Sequence, residues 1–307
     1  MPPNVPSLVS LDLFSSVVEL GSISAAAQMH GISQPSASER IRHLERQLGV
    51  ALLERGPNGS APTEAGVLVA TWADTVISAA YELLHGVDSL SRTKQRIVVA
   101  SSYTLAEHLL PRWLGRLRND APGTEVELRV LNSTSVLDLI RAGHAALGFI
   151  ESVGPVSGVE SRSIGGDELV VVVEPRHPWT RRRTVLAATE LASTPLVLRE
   201  VGSGTREALE AALDAVGLEL GPAALELGSS SSARSAAEAG AAPAVLSRLA
   251  VSDAIAAGRL RAVPVEGLDL TRTFRAVWSI NRSLADPLGL LLDIAAASEP
   301  QWHRQSL

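Results

Sequence analysis

At 307 residues the chain exceeds one small core, and at about 100–200 residues per domain it implies two or three. Its composition, 46% hydrophobic and 20% charged, excludes a disordered chain, and the absence of cysteine excludes disulfides, thiolate nucleophiles, Cys-ligated zinc and thiol redox sensing. The net charge of −6 gives no overall basic footprint for nucleic acid, yet it averages over domains and leaves room for one small phosphate-binding face. The opening residues MPPNVPSLVS lack the basic and apolar regions of a signal peptide, and no uncharged run of 18 apolar residues occurs. A soluble cytoplasmic protein without membrane contact is the expectation.

Leu8, Leu11, Phe14, Val17 and Val18 recur at helical spacing until Gly21 and Ser22 interrupt. A short Ala-rich helix from about Ser24 to His30, the turn Gly31-Ile32-Ser33 and a third helix from Gln34 to Leu48 follow. Ser33 is placed to cap that third helix, Pro35 sits in its first turn, and Gly49 closes it. Two helices joined by a short Gly-containing turn make a helix-turn-helix. From Thr63 to His85 there is no breaker, and Ala65, Leu68, Trp72, Val76, Ala79, Leu83, Val87 and Leu90 form one apolar stripe. A helix of roughly 27 residues spans about 40 Å, and such a seam calls for a partner helix. Either a second subunit or the chain's own domain can supply it.

From Arg96 the pattern becomes α/β. Short apolar strands at 97–100, 126–131 and 147–150 alternate with helices at 105–117 and 136–142. A second set follows, with strands at 169–173 and 196–198, a helix at about 205–216 and a strand near Leu225. A late strand at 274–280 and an amphipathic helix ending near Ala297 complete it. Such alternation predicts parallel sheet in two similar lobes with a cleft between them.

The run Phe14…Val17…Glu19…Gly21-Ser22-Ile23…Ala25-Ala26-Ala27, then Ile32-Ser33-Gln34-Pro35-Ser36-Ala37-Ser38, Ile41…Leu44-Glu45…Leu48-Gly49…Leu52-Leu53-Glu54-Arg55 and Pro62-Thr63-Glu64-Ala65-Gly66, resembles the winged helix-turn-helix of LysR-type transcriptional regulators. Asp167 to Val172 and His177-Pro178 resemble that family's periplasmic-binding-protein-like effector domain. The resemblance implies a DNA-binding domain at 1–65, a dimerising linker helix at 66–92 and an effector domain at 93–307. Within the last, lobe I takes about 93–166 and 268–300, and lobe II about 167–267. It further implies operator DNA, a homodimer or homotetramer and RNA polymerase as partners, with no cofactor and no metal.

On the recognition helix, Gln34 and Ser36 would face base edges, since glutamine pairs bidentately with adenine. Ser33, Pro35, Ser38, Arg40, Arg42 and, before the wing, Arg55 complete the expected DNA-binding set, the hydroxyls and arginines reaching phosphates. The bland alternative makes Gln34 and Ser36 mere capping residues. Two departures stand out. Many relatives carry arginine where this chain has Glu39, which repels phosphate and can only accept from a cytosine. The wing Gly56 to Ala61 has no arginine, and four arginines in residues 1–65 face Asp12, Glu19, Glu39, Glu45, Glu54 and Glu64. Modest phosphate affinity, helped by oligomeric avidity, is expected.

The turn Arg199-Glu200-Val201-Gly202-Ser203-Gly204-Thr205 lies between a strand and a helix and resembles a segment of LysR-type regulators of sulfur assimilation and carbon fixation. Ser101 to Thr104 and Asn132 to Ser135 occupy equivalent turns. Ser102, Thr104, Asn132, Ser133 and Ser203 then supply neutral donors and Arg199 a charge for a small anionic effector, unless the hydroxyls serve only as N-caps. Ala146 and Ala241-Ala242-Pro243-Ala244 depart from the family pattern, which keeps an effector-independent regulator open. A solute-binding protein is the rival class, but it would leave residues 8–65 unexplained. No nucleophile elbow, Walker A, zinc-protease or Rossmann signature supports an enzyme, and the seven histidines form no ligand pair.

Overall fold

Three short helices open the chain, each bounded by its capping residues. In α1 (Leu8–Leu20) the Ser7 side chain accepts from the Ser10 N–H, and Gly21 at φ 61° ends the helix. In α2 (Ile23–Met29) Ser22 caps through the Ala25 N–H, and in α3 (Gln34–Leu48) Ser33 caps through Ser36. Strands β1 (Leu53–Gly56) and β2 (Gly59–Pro62) pair antiparallel as the expected wing. The computed structural model describes residues 5–56, 59–91, 95–280 and 282–298, so the wing's Pro57 and Asn58 lie outside them. Leu13, Phe14, Val17, Ala26, Ala37, Ile41, Leu44 and Leu52 fuse the helices into one core.

Helix α4 runs Glu64–Ser91, 28 residues or about 42 Å. Its start is fixed where Thr63 Oγ1 accepts from the Gly66 N–H at 2.9 Å and donates to the Ala51 carbonyl at 2.8 Å. Gly66 packs so closely on the Leu52 carbonyl that any Cβ would overlap it. The unit's own core takes Ala70, Ala73, Val69 and Ile77, which lie on one side of the helix. The predicted stripe lies on another side: Leu68, Trp72, Val76 and Leu83 are 54%, 62%, 48% and 67% exposed. Packing on its own domain therefore does not explain the stripe. The side chains of Val87 and Leu90 lie outside the described residues.

Two compact units result, Met1–Arg92 and, apart from the short segment Arg141–His144, the residues from Thr93 onward. The second begins with β3 (Gln95–Ser102), α5 (Tyr103–His108), α6 (Leu110–Asp120), β4 (Thr124–Leu131), α7 (Ser133–Arg141) and β5 (Leu147–Ser152). The expected single helix at 105–117 is two, because Pro111 lacks the N–H and its ring forces a new start after Leu109. Then come β6 (Glu160–Val173), a 3-10 turn at Pro178–Arg181, β7 (Leu186–Ala187), α8 (Ala188–Ser193), β8 (Leu196–Arg199) and α9 (Gly204–Asp214). The chain continues through β9 (Ala223–Leu227), α10 (Ser230–Glu238), β10 (Ala244–Ser247), α11 (Arg248–Ala256), β11 (Arg261–Val263) and β12 (Val265–Glu266). It returns through β13 (Thr271–Trp278) and α12 (Leu288–Ala297).

The main sheet has the order β4-β3-β5-β13-β6-β10-β8-β9, with β11 also on β6. β3 runs parallel to β4 and β5, and β8 parallel to β9 and β10. The long β6 joins the lobes: Glu160–Glu168 pair with β13, whereas Leu169–Val173 pair with β10 and β11. The sequence reading began this strand only at Leu169, because its polar first half alternates weakly. Trp113, Phe149 and Phe274 fill one core, and Leu169, Val171, Leu196 and Leu209 fill another. Pro243 leaves the second lobe's pairing intact, since it precedes β10 and its carbonyl accepts from the Val197 N–H at 2.8 Å. Ala146 is buried and donates its N–H to the Val98 carbonyl at 2.8 Å. Among the described residues no helix is long and apolar enough to cross a membrane.

Candidate DNA-binding face and interlobe site

Helix α3 buries Ala37, Ile41 and Leu44, so the side carrying Pro35, Glu39, Arg42 and Arg46 points away from the core. Ser33, Gln34, Pro35 and Ser36 are exposed at its first turn. The Ser33 and Ser36 hydroxyls lie 2.8 Å apart, and Gln34 Nε2 donates to Ser38 Oγ at 3.1 Å. Ser38 itself is buried, which sets it behind the outer face expected for phosphate contact. Arg42 and Arg46 each place a terminal nitrogen 2.9 Å from a different oxygen of Glu39. Arg46 was absent from the expected set; its position two turns beyond Glu39 was the available signal. Arg40 is half-buried, and Arg55 lies in β1 with its side chain outside the described residues. Glu45 faces the other way and accepts the Leu52 and Leu53 N–H groups at 2.9 and 3.2 Å, anchoring the wing.

In the second unit the three predicted turns meet. Ser102 stands at the N-cap of α5, Asn132 precedes α7, and Ser203 caps α9 by accepting from the Thr205 N–H. Ser102, Thr104, Ser133, Arg199 and Ser203 are all buried. Asn132 joins two turns: its Oδ1 accepts from the Ser135 N–H at 2.9 Å and its Nδ2 donates to the Val201 carbonyl at 3.3 Å. The Thr134 N–H donates to the Gly202 carbonyl at 3.2 Å, and Thr134 Oγ1 donates to Glu207 at 3.2 Å. Gly204 sits so close to β5 that a Cβ would lie 2.8 Å from the Glu151 carbonyl oxygen and 3.0 Å from Ser133 Oγ. Glycine is required there by this approach.

Arg199 has more partners than expected. Its Nε and Nη2 donate to Glu200 at 2.8 and 2.9 Å, its Nη1 donates to Ser230 at 2.8 Å, and its guanidinium stacks 5.1 Å from the Tyr103 ring centroid. Five N–H donors leave one on each terminal nitrogen for a ligand. The central cation is instead Arg272, opposite Asp167 where β13 meets β6. It donates to Asp167 Oδ2 at 3.0 and 2.7 Å, to Thr205 at 3.0 Å and to Thr104 at 3.5 Å, and its Nη2 lies 3.7 Å from Glu151 Oε1. Glu151 accepts from Ser133 Oγ at 2.8 Å. Burial alone would raise the Glu151 pKa, but the Arg272 charge and neighbouring hydroxyls, Ser133 foremost, hold it below the ordinary carboxylate value. Sequence reasoning missed Glu151, Asp167, Thr205 and Arg272. A charged residue bordering an apolar strand was the signal, since such groups are buried only when paired. Among the described residues, Asp167 Oδ1 is buried without a hydrogen-bond partner, and no cluster could hold a metal ion.

Comparison with known proteins accounts for both units. Residues 8–67 match the bacterial regulatory helix-turn-helix proteins of the lysR family, and residues 91–299 match the LysR substrate binding domain. An uncharacterised HTH-type transcriptional regulator of Mycobacterium tuberculosis is 42% identical over 299 residues, covering 94% of this chain and 95% of that protein. CbbR of Xanthobacter flavus is 30% identical over 291 residues, covering 94% of this chain and 86% of the other. The regulatory domain of CcmR from Synechocystis, solved in complex with 2-PG, superposes with a TM-score of 0.60 at 24% identity over 67% of this chain and 98% of that domain. These relatives are regulators of transcription rather than enzymes, and the chain, matched along nearly its whole length, belongs to the LysR family of DNA-binding transcriptional regulators.

Proposed function

We propose that a small anionic metabolite, bound between the two lobes, controls how an oligomer of this regulator engages its operator in the cytoplasm and meets RNA polymerase. The observation that carries this reading is the convergence of strand-to-helix turns from both lobes on the buried polar side chains of Ser102, Ser133, Arg199 and Ser203. Buried polar groups gathered at one point offer hydrogen bonds to a ligand oxygen. The N-terminal turns of α7 and α9 and the remaining N–H groups of Arg199 add donors. Neutral hydroxyls with few free cations suit a small anion rather than a nucleotide. CcmR, a structural neighbour, holds 2-PG in its regulatory domain, which supports this ligand class. The exposed stripe of α4 supports pairing of two subunits through that helix, giving a dimer or a tetramer.

The test is a thermal-shift series on the full chain with 2-PG, sulfate, phosphate and small carboxylates. A ligand at a hundred times its Kd stabilises the folded state by about 2.7 kcal/mol. Ser102→Ala with Ser133→Ala, or Arg199→Ala, abolishes the shift while the unliganded fold persists. If no anion stabilises the chain, or the hit ignores these changes, the regulator works without this effector.

A further inference from the structure

We propose that Glu39 reads a base: its carboxylate accepts a hydrogen bond from the 4-amino group of a cytosine in the major groove. At 100° per residue Glu39 lies about 200° round α3 from the fully buried Ala37, at the middle of the outward face. Its side chain is 58% exposed and projects from the second turn of the recognition helix. An ionised carboxylate is acceptor-only, and the major groove offers it two amino donors, on cytosine and on adenine. The adenine amino group stands beside the N7 acceptor, which repels a carboxylate, so cytosine is the better partner.

The cost of bringing a negative charge towards DNA is met within the helix. Arg42 and Arg46 each hold one Glu39 oxygen at 2.9 Å, so the three side chains together carry a single positive charge. Those contacts also fix the carboxylate's orientation from one and two turns away, leaving its outer lone pairs for a base. The inference rests on membership of a DNA-binding family and adds the base and the residue.

The full chain is used to select duplexes from a randomised library. The selected site and its single-base variants are then titrated with the wild type, E39A and E39Q at several salt concentrations. E39A is expected to lose roughly 5- to 150-fold discrimination at one C·G pair per half-site. It should also bind unrelated DNA more tightly with a steeper salt dependence, because Arg42 and Arg46 are released to phosphates. E39Q, which keeps an acceptor oxygen and gains donors, retains binding but shifts its preference towards adenine. A cytosine analogue lacking the 4-amino group at that pair weakens the wild type and leaves E39A unaffected. If E39A binds every sequence more tightly while its selected site stays the same, Glu39 only restrains its arginines and the proposal falls. A wild type that selects no sequence at all would overturn the proposal together with sequence-specific binding.

Discussion

Replacing Arg272 with methionine removes the cation that both lobes share and leaves Asp167 and Glu151, 5% and 3% exposed, without it. Arg272 makes two bonds to Asp167 at 3.0 and 2.7 Å, one to Thr205 at 3.0 Å, and an ion pair with Glu151 at 3.7 Å. Breaking a buried pair from one side costs about 3–5 kcal/mol, and the Thr205 bond adds about 1 kcal/mol. Against a typical stability of about 5–15 kcal/mol that is a large fraction. Most of the loss is uncompensated charge rather than missing packing, so Asp167→Leu in the same chain should restore roughly half of it. Urea unfolding of the full chain, resolved into the transitions of its two units, measures both and gives their coupling. The pH dependence has a definite sign. Without Arg272, burial raises the Glu151 pKa, so the variant takes up a proton there and its deficit narrows as pH falls. In the wild type the lowered Glu151 pKa contributes stability that is present above about pH 4.3 and is lost as pH falls through the folded-state value. A deficit below about 1 kcal/mol, or one that widens on acidification, refutes the reasoning.

Three further outcomes follow from particular contacts. Leu68→Glu with Leu83→Glu should give monomers in sedimentation velocity with the fold retained, because both leucines are exposed in the single chain. At about 1.5 kcal/mol or more per buried leucine, four of them contribute at least roughly 6 kcal/mol to a dimer, and a variant that stays dimeric would sink the α4 pairing. Gly204→Ala forces its methyl against the Glu151 backbone and should cost roughly 1–3 kcal/mol; an unchanged melting temperature contradicts the close approach. Burial lowers the His108 pKa, Arg234 of α10 lowers it further, and Glu107 of its own helix, Asp167 of β6 and Asp253 of α11 oppose them. The unfolded state therefore binds a proton that the folded state refuses, stability falls as pH drops below about 6.5, and His108→Gln should flatten that decline in a pH series of melting curves.

The helix-turn-helix was legible because its signals are local. Ser22, Ser33, Gly21 and Gly49 mark helix ends within a few residues of the positions they control. The same holds for the turns at Asn132 and Ser203, whose capping bonds reach two or three residues. What escaped depends on distance along the chain. Arg272 reaches Asp167 across 105 residues and Thr104 across 168, and nothing near Arg272 announces either partner. Helix α10 hid in the run Ser229 to Ser232, because serine is a poor helix former and the buried Ala233 and Ala237, with long-range bonds such as Arg199 to Ser230, hold it. The first half of β6 was missed for a similar reason: Glu160 to Ser163 become a strand by pairing with β13, far along the chain.

The position of Arg272 also bears on how a bound anion reaches the rest of the molecule. The lobes are joined covalently where β6 and β13 cross, and Arg272 sits at that crossing with hydrogen bonds to Thr104 on one side and Thr205 on the other. Further out, the lobes are held by Asn132 to Val201, Thr134 to Gly202 and Thr134 to Glu207, each a bond at 3.2 or 3.3 Å near the surface. Such bonds contribute about 0.5–1.5 kcal/mol apiece, and an arrangement in which the turns part loses them together with the Arg199–Tyr103 stack and the packing of Gly204 on Glu151. An anion among the same turns competes for those donors in one arrangement and adds to them in the other. A differential of about 1–3 kcal/mol between the two suffices for allosteric coupling, which is the size of one or two of these bonds. A buried, ion-paired crossing with solvent-exposed hydrogen bonds further out thus makes a hinge whose axis is stiffer than its rim. In the proposed function, that asymmetry lets a small ligand move one lobe against the other without unfolding either.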